Sequence, residues 1–540
     1  MLRTPQSQSA LLFDVSPAWL QRTAEGIVTR NGVLLTDCVV RAEMGDAASV
    51  VDGGVLLDIG TAIDHLRQTL TKHVERKVET AREARCDHAE DVKERQLYVE
   101  VLLRVAVTGA LVKHYQKEAC LTKHSTTDVG AEEHQEGQQE QLMQLAKDRF
   151  ALGLLHVFEV FQEVHSMRRG NYEKRHRNTT IGTVGWDTLL LLHFVHRIPC
   201  AAREASADVI DEATGRIVRS WRKLLQSLQT ADPTEAPEHS RRRGALAVCN
   251  GLLSILFSRY NTHQCRILIN SIEQSERVAV SGGDGGKFVL KPAQHMTAEV
   301  LTFYYYKGRV MLYDRQASEA HATLQQAYHL LPPPGSGNEV QQRNKQRVRF
   351  FLTVAGTISG RVPPREIMQR DDLIIYIFQP IVEAVQRGDP HGFSNAIDAY
   401  GSLLRRRGVY ILLQRAKLLC FLVLVARTHA VLGECSGVDN TRIPLPVLTA
   451  MYVHIVKEGK LLSEQKNCSS PQGERKHKRQ RAEDEGDQSP TITDDEMTWW
   501  TAKLISMGLV RGYISYEHKT VVLSRKNPFP TLVPTGESNN

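Results

Sequence analysis

The sequence predicts a mostly α fold, an α-solenoid of TPR-like helical hairpins running into a C-terminal winged helix. Apolar residues recur at helical spacing through the middle of the chain, small residues mark where two such stripes meet, and three helices followed by one hairpin close it. Aromatics make up only 6% of the residues, and Leu, Ala, Gln and Arg are frequent, which favours helices over sandwiches or barrels. At 540 residues the chain exceeds one core, so more than one domain is expected.

Residues 1–60 mix Gly, Pro and short apolar clusters without a sustained period and read as an irregular N-terminal segment. Residues 61–244 read as an N-terminal helical region, broken by polar linkers at Ser125–Gln138 and Thr230–Arg241. Residues 245–415 read as the TPR-like repeats. The glycine cluster Ser281–Lys287 interrupts them, and a phosphate-loop reading fails because Ser281 and Phe288 stand where Gly and Ser or Thr are needed. A flexible loop is expected instead.

Beyond it the periodicity is clear. Leu301, Tyr304, Tyr305, Gly308 and Leu312 share one helix face. Ala317, Ala320, Leu324, Ala327 and Leu331 form a second stripe, ended by Pro332-Pro333-Pro334. Gly308 and the alanines are small enough to let two helices approach closely. Further helices are expected at 338–356, 371–387, 391–406 and 409–432. The apolar run Leu418–Ala426 is well below the ~20 residues of a membrane span and reads as a buried helix, so no membrane insertion is expected.

Residues 416–533 read as the winged helix, carrying an insertion at 461–490. Its helices are the run around Leu418–Ala430, then Ile443–Gly459, then Thr493–Gly508. The last opens on a capping box, Thr493-x-x-Glu496, and closes with Gly508 in the position after the C-cap. Met497, Trp500 and Leu504 face inward at helical spacing. Val510, Gly512 and Ile514 then alternate with Arg511, Tyr513 and Ser515, a strand period. Tyr516–Lys519 is a polar turn, and Val521-Val522 starts the return strand. Pro528 and Pro530 carry no N–H and stop the sheet, so Asn527-Pro528-Phe529-Pro530 reads as a latch that turns Phe529 onto the apolar side. Leu461–Pro490 is polar and charge-blocked, and disorder is expected there.

The chemistry that charge and spacing allow is binding rather than catalysis. The formal charge is only +7, yet residues 301–430 carry 17 Lys or Arg against 9 Asp or Glu, an excess of +8 that suits an acidic partner or nucleic acid. Nine cysteines lie scattered with no C-x-x-C pair, the pattern of reduced thiols in a cytosolic or nuclear protein. The N-terminus lacks the layout of a signal peptide. There is no H-E-x-x-H, no Cys/His spacing suited to zinc, no G-x-S-x-G and no paired-acid motif, so neither enzyme, cofactor nor metal is expected. His193 and His196 flank an apolar helix and read as core or boundary residues. Candidate phosphate contacts are Lys503, Arg511, Lys519, Arg525 and Lys526 in the wing, and Arg405, Arg406 and Arg407 at a helix end, where helix capping is the competing reading. Residues 493–540 hold five Lys or Arg and five Asp or Glu, which points to partner-assisted binding. Within the insertion, Arg475, Lys476, Lys478, Arg479 and Arg481 form a basic block suited to nuclear import.

Three stretches carry a closer likeness: "LFSRYNTHQCRILINSIEQSE" (256–276), "FYYYKGRVMLYDRQASEAHATLQQAY" (303–328) and "MGLVRGYISYEHKTVVLSRKNPFP" (507–530). They resemble the PCI domain-containing protein 2 family, which includes the PCI subunit of the nuclear-pore-associated transcription-and-export complex and signalosome subunit 12-like proteins. The resemblance covers about residues 250–533 and is most specific at Asn527-Pro528-Phe529-Pro530. It implies a non-enzymatic adaptor that couples transcription to messenger RNA export. Expected partners are a larger PCI-bearing scaffold, a small acidic protein strapping the solenoid, and RNA or DNA at the winged helix. The implied location is the nucleus, at nuclear pores, with shuttling to the cytoplasm. The alternative is a PCI scaffold subunit of a proteasome-lid, signalosome or translation-initiation assembly whose winged helix touches only protein.

Overall fold

The computed structural model describes residues 13–50, 59–80, 89–121, 132–175, 185–229, 241–280, 296–333, 338–361, 367, 372–435, 439–468 and 492–530. The chain divides into two compact units, Met1–Tyr306 and Lys307–Asn540.

In the first unit, β1 (Phe13–Val15) pairs antiparallel with β2 (Ala48–Val50). Between them lie α1 (Pro17–Val28) and α2 (Gly32–Glu43). The expectation of an irregular 1–60 is thereby corrected. Both helices have side-chain N-caps: Ser16 accepts from the Trp19 N–H and Asn31 from the Leu34 N–H. Trp19, Leu20, Ala24 and Ile27 bury one face of α1, while Gly26 and Gly32, poor helix formers, interrupt the period across the two helices. Then come α3 (Ile59–Thr80), α4 (Ala89–Leu121), α5 (Glu132–Arg175), α6 (Thr188–Glu204), α7 (Ala207–Gln229), α8 (Ala245–Ser258) and α9 (Thr262–Val280). The α5 helix starts inside the expected Ser125–Gln138 linker, because its Glu/Gln-rich opening favours helix despite Gly137. Residues 230–240 of the second linker, the loop Ser281–Lys287 and the basic block Arg475–Arg481 lie outside the described residues.

The boundary between the units falls inside α10 (Thr297–Tyr313). The second unit continues with α11 (Ala317–His329), α12 (Glu339–Ile358), α13 (Asp372–Arg387), α14 (Pro390–Ala399), α15 (Gly401–Arg406), α16 (Tyr410–Gln414) and α17 (Lys417–Glu434). Gly308 is where α10 meets α11, since a Cβ there would stand 2.5 Å from Leu324 Cγ. Two expected helices are each broken in two. The 391–406 helix breaks at Tyr400, ahead of Gly401, a poor helix former. The 409–432 helix breaks at Arg415–Ala416, where the Ala416 N–H donates to the Leu413 carbonyl at 2.8 Å in a tighter turn. By length and composition Tyr410–Glu434 could cross a membrane. That turn and the burial of Leu418, Phe421, Leu424 and Val425 mark it as a core helix.

The chain then forms β3 (Arg442–Pro444), α18 (Leu445–Cys468), α19 (Asp494–Ser506), β4 (Gly512–Ser515) and β5 (Thr520–Leu523). With α17 in front, this is the order of a winged helix. The three strands are antiparallel in the order β3-β5-β4. The helix expected from Ile443 begins two residues later, because Ile443 pairs with Val521 as strand. Leu461–Cys468 of the expected disordered insertion are helical, the end of α18.

The hairpin therefore has two supports. A two-stranded ribbon alone is marginal in water. β3 adds a third strand, and Val510, Val521 and Leu523 join a core built from Leu418, Phe421, Ile443, Leu448, Ile455, Met497 and Leu504. The α19 capping box is complete. At the other end, the Gly508 N–H donates to Ile505 and the Leu509 N–H to Leu504, with Gly508 at φ +71°. That is a Schellman motif, and it aims the chain into β4.

Candidate nucleic-acid interface

Hairpin register sorts the wing cations into two groups. Gly512 pairs with Leu523 and Ser515 with Thr520. Arg511, Arg525 and Lys526 therefore gather at the open end of the hairpin, and Lys519 stands at its turn, about 10 Å away at ~3.4 Å per strand residue. All four side chains are exposed. Lys519 takes a left-handed φ of +42° to close the turn. Its carbonyl accepts the Leu445 N–H at 2.8 Å, which ties the turn to α18.

The open end is clasped by backbone. The Arg511 N–H donates to the Pro528 carbonyl at 2.8 Å, and the Arg511 carbonyl accepts from Ser524 at 2.8 Å. This holds Pro528 against the strand root. Phe529 packs, partly buried, on the winged-helix core and meets the His429 ring edge-on at 5.5 Å. Asn527 is exposed and Pro530 half-buried. Gly512 is required for close approach, since a Cβ there would stand 2.2 Å from the Val522 carbonyl oxygen.

β3 adds a cation that the sequence reading missed. Arg442 has a side chain 72% exposed and lies beside β5, with Asp439 at 3.8 Å. Hydrogen bonds from Thr441 hold the Asp439 carboxyl below its ordinary pKa, with help from Arg442 and Arg525. Charge at the open end is thus four cations with one interleaved carboxylate. The missing signal was the strand itself, since Ile443-Pro444-Leu445-Pro446 reads as a helix start.

Lys503 projects from α19 with its ammonium 4.6 Å from the Trp499 ring centroid and 5.5 Å from that of Trp500. Arg405 and Arg407 are engaged elsewhere: the Arg405 guanidinium lies 4.5 Å from the Tyr410 ring and that of Arg407 5.3 Å from Phe350. Both lie on rings of the repeat helices, and Arg406 is exposed between them. The Gly408 at φ +72° that follows ends the helix turn.

Among the described residues no cluster of His, Cys, Asp or Glu is placed to hold a metal ion. A groove of about 270 Å³ between α3 and α4 is lined by Val74, Val78, Val92 and Val99 with Thr71, Glu75, Glu79, Arg95 and Gln96. His193 and His196 pair with carboxylates, Nε2 of the first at 2.8 Å from Glu43 and Nε2 of the second at 3.1 Å from Glu299.

Sequence comparison finds relatives over much of the chain. PCI domain-containing protein 2 of Xenopus laevis is 22% identical over 338 residues, 61% of this chain and 69% of the relative. Its namesake in Danio rerio is 23% identical over 326 residues, 60% of this chain and 65% of the relative. Protein CSN12 homolog of Schizosaccharomyces pombe is 23% identical over 326 residues, 60% of this chain and 62% of the relative. The chain is similar to PCI domain-containing protein 2 and to CSN12 homologues at about 22% identity over about 60% of its length. The match thus spans about two thirds of the length of these relatives. No family model matches the chain. Helical hairpins ending in a winged helix agree with a PCI domain, and PCI proteins are subunits of multi-subunit complexes.

Proposed function

We propose that this PCI protein is a non-enzymatic adaptor in a nuclear complex that couples transcription to messenger RNA export. It pairs with a larger PCI-bearing scaffold at nuclear pores and contacts RNA or DNA through the winged helix. The observation that carries the reading is the open end of the wing, where Arg442, Arg511, Arg525 and Lys526 stand exposed at the end of a fully supported sheet. Such side chains contact phosphates, which gives affinity without base reading. The excess of +8 over residues 301–430 suits a small acidic strap protein. The basic block at 475–481 suits nuclear import and shuttling.

Affinity purification of the tagged protein with mass spectrometry tests the assembly, and export and nuclear-pore factors are expected. Changing Lys519, Arg525 and Lys526 together to Glu tests the contact. Binding of RNA or DNA by the partner-bound complex should weaken, with a salt slope shallower by roughly 2 to 3. Unchanged affinity and slope would show that the wing does not meet nucleic acid.

One feature favours the second reading, a scaffold subunit of a proteasome-lid, signalosome or translation-initiation assembly. The α19 helix opens with Asp494, Asp495 and Glu496, and these repel phosphate. Purification that returns lid or signalosome subunits would establish that reading instead.

A further inference from the structure

The chain has five tryptophans, and Trp499 alone among them is more than half exposed, at 55%. It is backed by a ladder of rings. Trp499 meets Trp500 edge-on at 4.6 Å, and Trp500 stacks on Phe421 at 4.4 Å and 13°. Phe421 in turn stacks on Tyr452 at 6.5 Å and 8°, inside the winged-helix core. An indole held this way has little rotamer freedom left to lose on binding, which is the property of a preorganised anchor.

Two ammonium groups flank this aromatic step. Lys503 lies over both indoles, and the Lys417 ammonium is 5.9 Å from the Trp500 ring. The remaining exposed positions on that side of α19 are Asp495, Glu496, Ala502, Ser506 and Met507. None is an Arg, Asn or Gln that could read the edge of a paired base. The acidic first turn bounds the platform at one end and directs anionic groups toward Lys503 at the other. A ligand that fits must offer a flat π face with an anion beside it, and must leave that face open.

We infer that the outer face of α19 is a stacking platform for one unpaired base of a single-stranded nucleic acid, with Trp499 under the base and Lys503 and Lys417 beside its phosphates. The inference rests on the nucleic-acid reading proposed above and narrows it to single strands. A duplex already stacks its bases internally, whereas every unpaired base has a free π face.

The test titrates the full-length chain, with its scaffold partner where needed, with a short oligouridylate and with a duplex of equal length. Tryptophan fluorescence should be quenched by the single strand. Trp499→Ala should abolish most of that quenching and weaken single-strand binding by about tenfold or more, with duplex binding and melting temperature unchanged. Trp499→Phe should retain part of the affinity, as stacking requires. Lys503→Ala should lower affinity less and flatten the salt dependence.

Suppose Trp499→Ala binds the single strand as tightly as the parent while the Lys519, Arg525 and Lys526 reversal weakens it. The platform is then wrong and the wing contact stands. If no form of the chain binds either nucleic acid, both readings fall. If Trp499→Ala instead sheds a protein subunit with strand affinity intact, the face is a protein interface and the platform is again overturned.

Discussion

Tyr98, His165 and Asp187 meet away from solvent in the first unit, whereas Phe421, Tyr452 and Trp500 meet as stacked rings in the second. In the first case the Tyr98 hydroxyl donates to Asp187 Oδ2 at 2.7 Å, and His165 Nδ1 stands 3.2 Å from the same oxygen. Both members of the His165–Asp187 pair are buried, with side chains 1% and 0% exposed. Asn250 Nδ2 donates to Glu299 at 2.7 Å, and Arg242 to Glu276 at 2.8 Å. The winged-helix core packs apolar and aromatic side chains, and its buried Thr428 and Thr501 donate only to carbonyls of their own helices. Buried polar pairs add little net stability, but each names its partner, because losing it strands a desolvated polar group. Stacked rings stabilise through area and dispersion and leave no polar group stranded.

The sharpest way to break this contrast is Phe421→Ala. Its ring is 2% exposed and stacks with both Trp500 and Tyr452. The change should destabilise the winged helix by about 4 kcal/mol in denaturant unfolding. Amide exchange should speed up most in β5 and α19.

Asp187→Ala comes next, at about 3 kcal/mol, because it leaves His165 and the Tyr98 hydroxyl short of a buried partner. Its exchange changes should concentrate in α4, α5 and α6. Equal acceleration in both units by either variant would show that the two chemistries do not hold separate regions.

Phe529→Ala probes the latch. The ring is only partly buried, so about 1.5 kcal/mol is expected rather than the ~3 of full burial. A lowered melting temperature measures it, and the Lys519, Arg525 and Lys526 reversal should leave that temperature unchanged.

The smallest effect is tied to pH. The hydrogen bond that His196 donates to Glu299 raises the His196 pKa, and burial opposes it. A histidine raised on folding stabilises fully below its unfolded pKa of ~6.5 and loses that contribution as pH climbs through the folded value. With its side chain 64% exposed, the pair should contribute only a few tenths of a kcal/mol. Stability curves of the parent and His196→Gln should therefore differ slightly in mild acid and converge in mild alkali. A gap that widens with pH would reverse the assignment.

What could be read in advance follows the same divide. The α19 capping box, Gly508, the hairpin alternation and the polar turn each depend on residues within a few positions of one another, and all are visible in sequence. The polar ties of the first unit are not, since Tyr98 and Asp187 are 89 residues apart and Arg197 and Glu43 are 154 apart. No local pattern announces such a pair. His193 and His196 looked like core or boundary residues because the carboxylates they face lie on α2 and α10. Helices α1 and α2 escaped because Gly26 and Gly32, poor helix formers, interrupt the period across them. Arg442 escaped as a wing cation because β3 becomes a strand only by pairing with β5.

Sequence by itself determined the helical class, the terminal winged helix, its caps and turn, and the hairpin cations Arg511, Lys519, Arg525 and Lys526. These depend on backbone preferences and on periods of 3.6 and 2, which act over a few residues. Tertiary structure alone decided which cations share one end of the hairpin, which are laid on aromatic rings, and that Trp499 stands outward on a stack of buried rings. Those outcomes depend on strand register and on packing between helices distant in sequence. They arise only when the core closes and each side chain is either covered or left to solvent.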